Sequence, residues 1–174
     1  MNSTNRLKPR LPVPSLEVKT LAGDPWRLTD RTAAHFIMIV FYRGLHCPIC
    51  KPYLRDLEAK LNEFTARGVD VIAVSTDDRE RAQKSQQEWG LKHLTVGYGL
   101  TIEKAREWGL YISKAIKESE PHAFSEPGLF LIRPDKTLYA AQISTMPFAR
   151  PSFNDLLAAL DFIIKNNYPA RGEA

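Results

Sequence analysis

Cysteine is nearly absent from the chain, with two in 174 residues, too few for the disulfide scaffold that staples small secreted domains. Long hydrophobic runs are lacking as well. The longest, Phe36 to Tyr42, has seven residues, against the roughly 18 that a membrane-spanning helix needs, so no membrane partner is expected. Residues 1–20 have neither the apolar stretch nor the small-residue cleavage site of a secretory leader. The expectation is therefore a cytoplasmic chain with reduced thiols. Charge of a single sign is lacking too: 24 Lys and Arg stand against 20 Asp and Glu, a net +4. The signs are interspersed, as in Asp77-Asp78-Arg79-Glu80-Arg81, and the one basic cluster, Arg6, Lys8 and Arg10, lies in a proline-bearing arm. Without a basic stripe or a base-reading motif, no nucleic-acid partner is expected. The length, with 44% apolar residues, suits one domain with a sizeable core.

The hydrophobic pattern alternates between strand and helix periods. Leu16 to Lys19 and Trp26 to Leu28, around Ala22-Gly23-Asp24, have the alternation of a small exposed hairpin. Phe36 to Tyr42 is apolar throughout and rich in β-branched and aromatic residues, the pattern of a central strand buried on both faces. Leu54, Leu57, Leu61 and Phe64 recur at helical spacing up to Gly68, and Val69 to Ser75 reads as a second core strand. A charged helix over 78–89, a short strand at 94–96 and a helix over 101–108 follow. Leu129 to Ile132 and Thr137 to Ala141 form an antiparallel hairpin around Pro134-Asp135. The last helix starts at Ser152 with Asp155 three residues on, and its apolar stripe runs from Phe153 to Ile164. These elements predict an α/β fold, a central mixed sheet flanked by helices. Residues 1–11 are read as an N-terminal arm, 12–168 as a single domain and 169–174 as a tail.

The two cysteines stand three apart, as Cys47-Pro48-Ile49-Cys50. They follow the central strand after a short link, and Pro48 suits the first turn of a helix. Cys47 is thus expected at the helix N-cap, where exposed N–H groups and the helix dipole favour a thiolate. Arg43 is expected to add to that effect. Cys47 is the expected exposed nucleophile, and Cys50, one turn on, the buried resolving thiol. A zinc half-site and a pair of inert buried thiols compete with this dithiol reading. Zinc wants four ligands, yet no second C-x-x-C exists and His35, His46, His93 and His122 are scattered, so neither a metal nor any other cofactor is expected.

The segment Phe41 to Cys50 resembles the active-site segment of the peroxiredoxin-like branch of the alkyl hydroperoxide reductase / thiol-specific antioxidant family. Val71 to Ser75 with Asp77-Asp78, Lys104 to Tyr111, Gly128 to Ile132 with Pro134-Asp135, and Met146 to Arg150 are similar to further stretches of that family, over about residues 12–165. The resemblance implies a thioredoxin-like fold, Cys47 as the peroxidatic-type cysteine and Arg150 as the active-site arginine. With Cys50 these are the expected catalytic residues, and Arg43, Gly44, Glu126 and Pro127 are expected to meet substrate. The implied activity is antioxidant reduction of peroxides, with an external dithiol such as a thioredoxin or glutathione system as reductant. The oligomeric state stays open, a homodimer included.

Two departures pull the other way. The family places Thr or Ser three residues before its cysteine and Pro seven before; here Gly44 and Val40 stand there. The C-x-x-C itself is more like a thioredoxin, and Pro127 matches the thioredoxin cis-proline. A cis Glu126–Pro127 bond is weighed evenly against a plain turn proline. Thioredoxins also bury an acid six residues before the first cysteine, where this chain has Phe41. His46 is read as a flanking polar residue before it is read as a base. Disulfide reduction is thus the alternative activity, and a redox-responsive interaction module without turnover is the second alternative.

Overall fold

The computed structural model describes residues 7–174; the first six residues of the expected arm lie outside the described residues. A seven-stranded mixed sheet has the order β2-β1-β5-β4-β3-β8-β9. Its strands are β1 (Glu17–Thr20), β2 (Trp26–Arg27), β3 (Phe36–Phe41), β4 (Val69–Val74), β5 (Thr95–Tyr98), β8 (Gly128–Ile132) and β9 (Leu138–Ile143). Strands β3, β4 and β5 run parallel, and β8 returns antiparallel beside β3. A two-stranded ribbon, β6 (Ile112–Lys114) with β7 (Ala123–Ser125), stands apart. The helices are α1 (Cys50–Ala66), α2 (Arg79–Trp89), α3 (Ile102–Glu107) and α4 (Phe153–Asn166).

Alternation along β3 divides the core. Phe36, Met38 and Val40 join Leu54, Leu57 and Phe64 of α1, Ala82 and Trp89 of α2, and Phe153, Leu157 and Leu160 of α4. Ile37, Ile39 and Phe41 face the other way, into Ala105, Trp108, Phe130 and the β1–β2 hairpin. Side chains of a strand point to opposite faces in turn, so a strand covered on both faces must be apolar throughout. All six residues of β3 are buried.

Side-chain caps set the helix ends. Asp78 accepts the Arg81 N–H to open α2, Thr101 accepts that of Lys104 to open α3, and Ser152 accepts that of Asp155 to open α4. Glu58 on α1 accepts the N–H groups of Lys92, His93 and Leu94, fixing the approach to β5.

One expectation changes, one element is new and one open alternative closes. The β1–β2 hairpin is no exposed flap: β1 also pairs with β5, and Leu16, Val18, Trp26 and Leu28 are buried. Its apolar side chains needed a partner, and the second face of the sheet supplies it. The β6–β7 ribbon was not foreseen, because three-residue strands carry no readable alternation. Every peptide bond among the described residues, including Glu126–Pro127, is trans, and Pro127 opens β8 as an ordinary strand-entry proline.

Phe130 is fully buried and meets Phe41 edge-on at 5.6 Å and Trp108 at 5.1 Å between ring centroids. Phe130→Ala is expected to cost about 3–5 kcal/mol. Urea unfolding followed by tryptophan fluorescence should show a lowered midpoint with an unchanged slope.

Candidate active site

The polar residues collect where parallel strands β3 and β4 end, the usual place for a site in an α/β sheet. Beyond β3 the chain runs through Tyr42, Arg43, Gly44, Leu45 and His46 to the cysteines, and beyond β4 it runs through Ser75, Thr76 and Asp77 to α2. The Cys47 N–H donates to the Gly44 carbonyl at 3.1 Å, closing a tight turn. Helix α1 begins at Cys50, three residues later than Cys47. The N-cap is Ile49 and not, as expected, Cys47, because residues 47–49 form a separate turn ahead of the helix; the Cys50 N–H nevertheless donates to Cys47 Sγ at 3.2 Å.

That geometry separates the two thiols. The Cys47 thiol is held down at about 6 from an ordinary value near 9. The hydrogen bond from the Cys50 side chain is the largest cause, and the Cys50 N–H and the Arg150 guanidinium add to it against burial. The Cys50 thiol is raised, by burial first and then by its role toward Cys47. These directions are the ones a nucleophilic Cys47 would need, and one expectation is corrected. Cys47 is not exposed: it is 1% accessible and Cys50 0%. Both thiols lie in the core cluster with Val40, Tyr42 and Leu54.

Arg150 reaches the pair from the far end of the sequence. Its Nη1 lies 3.5 Å from Cys50 Sγ, and its guanidinium stacks 4.1 Å from the centre of the Tyr53 ring. The Tyr53 hydroxyl donates to the Pro151 carbonyl, which fixes the segment carrying Arg150. Ala149 has φ +55°, a left-handed kink that turns the chain just before Arg150. Nη2 of Arg150 is buried and has no hydrogen-bond partner among the described residues. Beside it, Ile49, Pro52, Tyr53, Pro147 and Phe148 line an open groove of about 250 Å³.

Arg43 is engaged elsewhere. It donates from Nε and Nη2 to the two oxygens of Glu126, at 2.8 and 2.7 Å, and lies 5.1 Å from the Phe124 ring centre. The Ser113 hydroxyl also donates to Glu126, at 2.6 Å. Glu126 is 1% exposed, so this cluster binds the β6–β7 ribbon to the cysteine loop and offers a substrate little contact. Pro127 lies with Tyr53 and Arg150 on the lining of a narrow cleft. His46 packs against Phe124, 4.4 Å between centroids. Burial, helped by Arg81, lowers its pKa to about 4, so it is neutral at pH 7. The Tyr53 platform and the Ser113–Glu126–Arg43 chain were missed from sequence. Tyr53 carried one signal, lying one turn beyond Cys50, but no spacing links it to Arg150.

A seven-stranded mixed sheet with a low-pKa thiol at the end of a central strand, and a second thiol one turn on, defines a thiol-based oxidoreductase of the thioredoxin-like class. Residues 9–141 match the family model described as AhpC/TSA family. The chain belongs to the AhpC/TSA family, and is a peroxiredoxin-like thiol peroxidase or disulfide reductase. Among curated proteins it is 26% identical to “Putative peroxiredoxin Rv2521” of Mycobacterium tuberculosis over 118 residues, 66% of this chain and 71% of the relative. Among solved structures it resembles peroxiredoxin 6 of Arenicola marina, with a TM-score of 0.75 at 18% identity over 92% of this chain and 74% of that one. Peroxidoxin BcpB of Mycobacterium tuberculosis superposes with a TM-score of 0.72 at 18% identity, covering 91% and 99%. A third similar chain, “putative Thiol:disulfide interchange protein DsbE” from Chlorobium tepidum, gives 0.66 at 18% identity, covering 90% and 96%. These structural likenesses bear out the thioredoxin-like fold.

Alkylation of the reduced protein against pH, with the modified residue mapped by mass spectrometry, should titrate Cys47 near pH 6. Cys50 should stay unmodified there. The plateau rate should fall below that of a small free thiolate, since Cys47 is buried. Modification of Cys50 before Cys47 would reverse the assignment.

Proposed function

We propose that the chain reduces peroxides with Cys47 as nucleophile and Cys50 as an internal resolving thiol. The observation that carries this is the Cys50 N–H held on Cys47 Sγ at 3.2 Å, which supports the thiolate and sets the second sulfur beside the first. The Cys47 thiolate attacks one peroxide oxygen. An S–O bond forms as the O–O bond breaks, and the leaving oxygen departs as alkoxide or hydroxide and takes up a proton from solvent. Cys47 is now a sulfenic acid. Cys50 then loses its proton and attacks the Cys47 sulfur, whose oxygen leaves as water with that proton. An external dithiol of the thioredoxin or glutathione type reduces the disulfide. Arg150 is the third catalytic residue of this reading. Its unpartnered Nη2 is a donor for the oxygen on which charge develops.

Cycling through a free dithiol suits a cytoplasmic, reducing compartment. We take residues 12–168 as the one functional domain, with 1–11 as arm and 169–174 as tail. Within the described part, Arg10 donates to the Ala170 carbonyl and so links the two ends.

Disulfide reduction is the second reading, favoured by Gly44, which leaves no hydroxyl before Cys47. The two reactions share the thiolate and differ in the leaving atom. Arg150→Met is therefore expected to lower the peroxide rate by about 10²–10³, the usual effect of removing a preorganised donor. The rate with a disulfide substrate should change far less, when both are measured at a pH where Cys47 is fully ionised. Equal small effects would favour the reductase. Cys50→Ser treated with one equivalent of peroxide should gain a single oxygen on Cys47 by intact mass; an unmodified mass would sink the two-cysteine cycle.

A further inference from the structure

The loop that carries Cys47 is gripped by two buried carboxylates from other parts of the chain. Glu126 holds Arg43 from one side. Asp77, in the link after β4, holds the next two residues from the other. Its side chain is 0% exposed. Asp77 Oδ2 accepts the Leu45 N–H at 2.8 Å, and Oδ1 accepts from Arg81 Nε at 3.1 Å. The Asp77 N–H donates to Ser75 Oγ at 3.2 Å and its carbonyl accepts the Gly99 N–H at 2.7 Å, so the acid is itself fixed.

The carboxylate also fills the space beside Gly44. A Cβ at residue 44 would lie 2.6 Å from both oxygens of Asp77, and Gly44 has φ +125°, a conformation that residues with a side chain rarely adopt. Gly44 is thus fixed from outside, and its carbonyl in turn accepts the Cys47 N–H.

We propose that Asp77 is a positioning residue of the active site: its carboxylate, seated on Gly44 and bonded to Leu45, sets the turn that places Cys47 Sγ on the Cys50 N–H. The same contact fixes the identity of the neighbour. Any hydroxyl side chain at residue 44 would meet the carboxylate, so this site is built around an acid on β4's exit loop in place of a Ser or Thr before the cysteine. The inference rests on Cys47 being the reactive thiol.

Charge and position act on Cys47 in opposite senses, which makes the idea testable. The ionisable groups bearing on the Cys47 sulfur are Cys50, Arg150 and Arg43; those beside Asp77 are Arg81, Asp78 and Tyr42. Removing the negative charge of Asp77 would by Coulomb's law alone lower a nearby thiol's pKa. Releasing the turn takes Sγ off the N–H and raises it. Asp77→Ala, which removes the acceptor as well as the charge, is therefore expected to shift the alkylation midpoint of Cys47 upward. Its oxidation rate by hydrogen peroxide or a small disulfide, at a pH where Cys47 is ionised, should fall by up to about 10²-fold, the cost of misplacing a reacting group by about an ångström. Asp78→Asn removes the same charge one residue away and should leave both readouts near wild type.

A downward or unchanged midpoint with a rate within about threefold of wild type would overturn the proposal. Should Asp77→Ala fail to fold by circular dichroism, Gly44→Ala decides. It changes no charge and pushes a methyl group into the carboxylate, so it should raise the midpoint in the same direction, and an unchanged midpoint there would overturn the proposal equally. Failure of the wild type to react with either oxidant would count against the reading of Cys47, while the alkylation profile would still test Asp77.

Discussion

One hydrogen bond organises the site: the Cys50 N–H on Cys47 Sγ, at 3.2 Å. It gives the two thiols unequal roles. A sulfur that receives an N–H, a thiol proton and the field of a guanidinium holds negative charge easily. The sulfur that gives the thiol proton lies buried next to that charge and resists becoming a second anion. In the proposed cycle, nucleophile and resolving thiol are thus not two separately tuned groups. They are two ends of one contact, and shifting it would change both.

Holding that contact takes a stiff support. β3 lies between β4 and β8 and is buried along its length, so it delivers Tyr42 to a fixed point. From there four residues lead to Cys47, too few to find the geometry by side-chain packing alone. Polar groups from afar complete it. Glu126 ties Arg43 and the β6–β7 ribbon to the loop, Asp77 holds Leu45 and Gly44, and Arg150 reaches in from before α4. Buried carboxylates are costly unless their hydrogen bonds are met. Glu126 accepts three side-chain hydrogen bonds, and Asp77 accepts from one backbone N–H and one guanidinium. Two such groups flanking one short loop mark where the fold spends stability on placement.

What the sequence made legible follows from how locally each feature is encoded. The uninterrupted apolar run of β3, the stripes of α1 and α4 and the glycine stops after α1 and α2 all lie within a few residues of what they specify. So does the C-x-x-C, whose spacing announces the dithiol and whose order suggests which sulfur attacks. Burial of Cys47 was not legible, since it depends on side chains that other strands and helices bring around it. Neither was the conformation of Glu126–Pro127, because the proline fits a cis or a trans bond and the surroundings choose. The pairing of Arg43 with Glu126 spans 83 residues and that of Leu45 with Asp77 spans 32. Asp77 stood in the sequence as half of an acidic pair at a helix start. Asp78 turned out to be the cap, leaving Asp77 free to face the other way.

The missing hydroxyl before Cys47 bears on which bond the thiolate breaks. Attack on a disulfide expels a thiolate, whose conjugate acid has a pKa near 8.5, so it leaves with little help. Attack on a peroxide expels an alkoxide or hydroxide, a far stronger base, and that departure needs a hydrogen-bond donor or a cation in place when the bond breaks. A side-chain hydroxyl at residue 44 is ruled out by the Asp77 carboxylate. His46 is neutral and tucked against Phe124, and Arg43 is bound to Glu126. In the proposed peroxidase reaction the burden of donation therefore falls on Arg150, whose Nη1 is turned toward Cys50 and whose buried Nη2 is unengaged among the described residues. Stacked on Tyr53, this guanidinium is fixed before substrate arrives and needs little reorganisation when charge develops. The chemistry of the leaving group thus singles out one residue, far from the cysteines in sequence, as the part of the site that would make a peroxidase of a dithiol able to exchange disulfides without it.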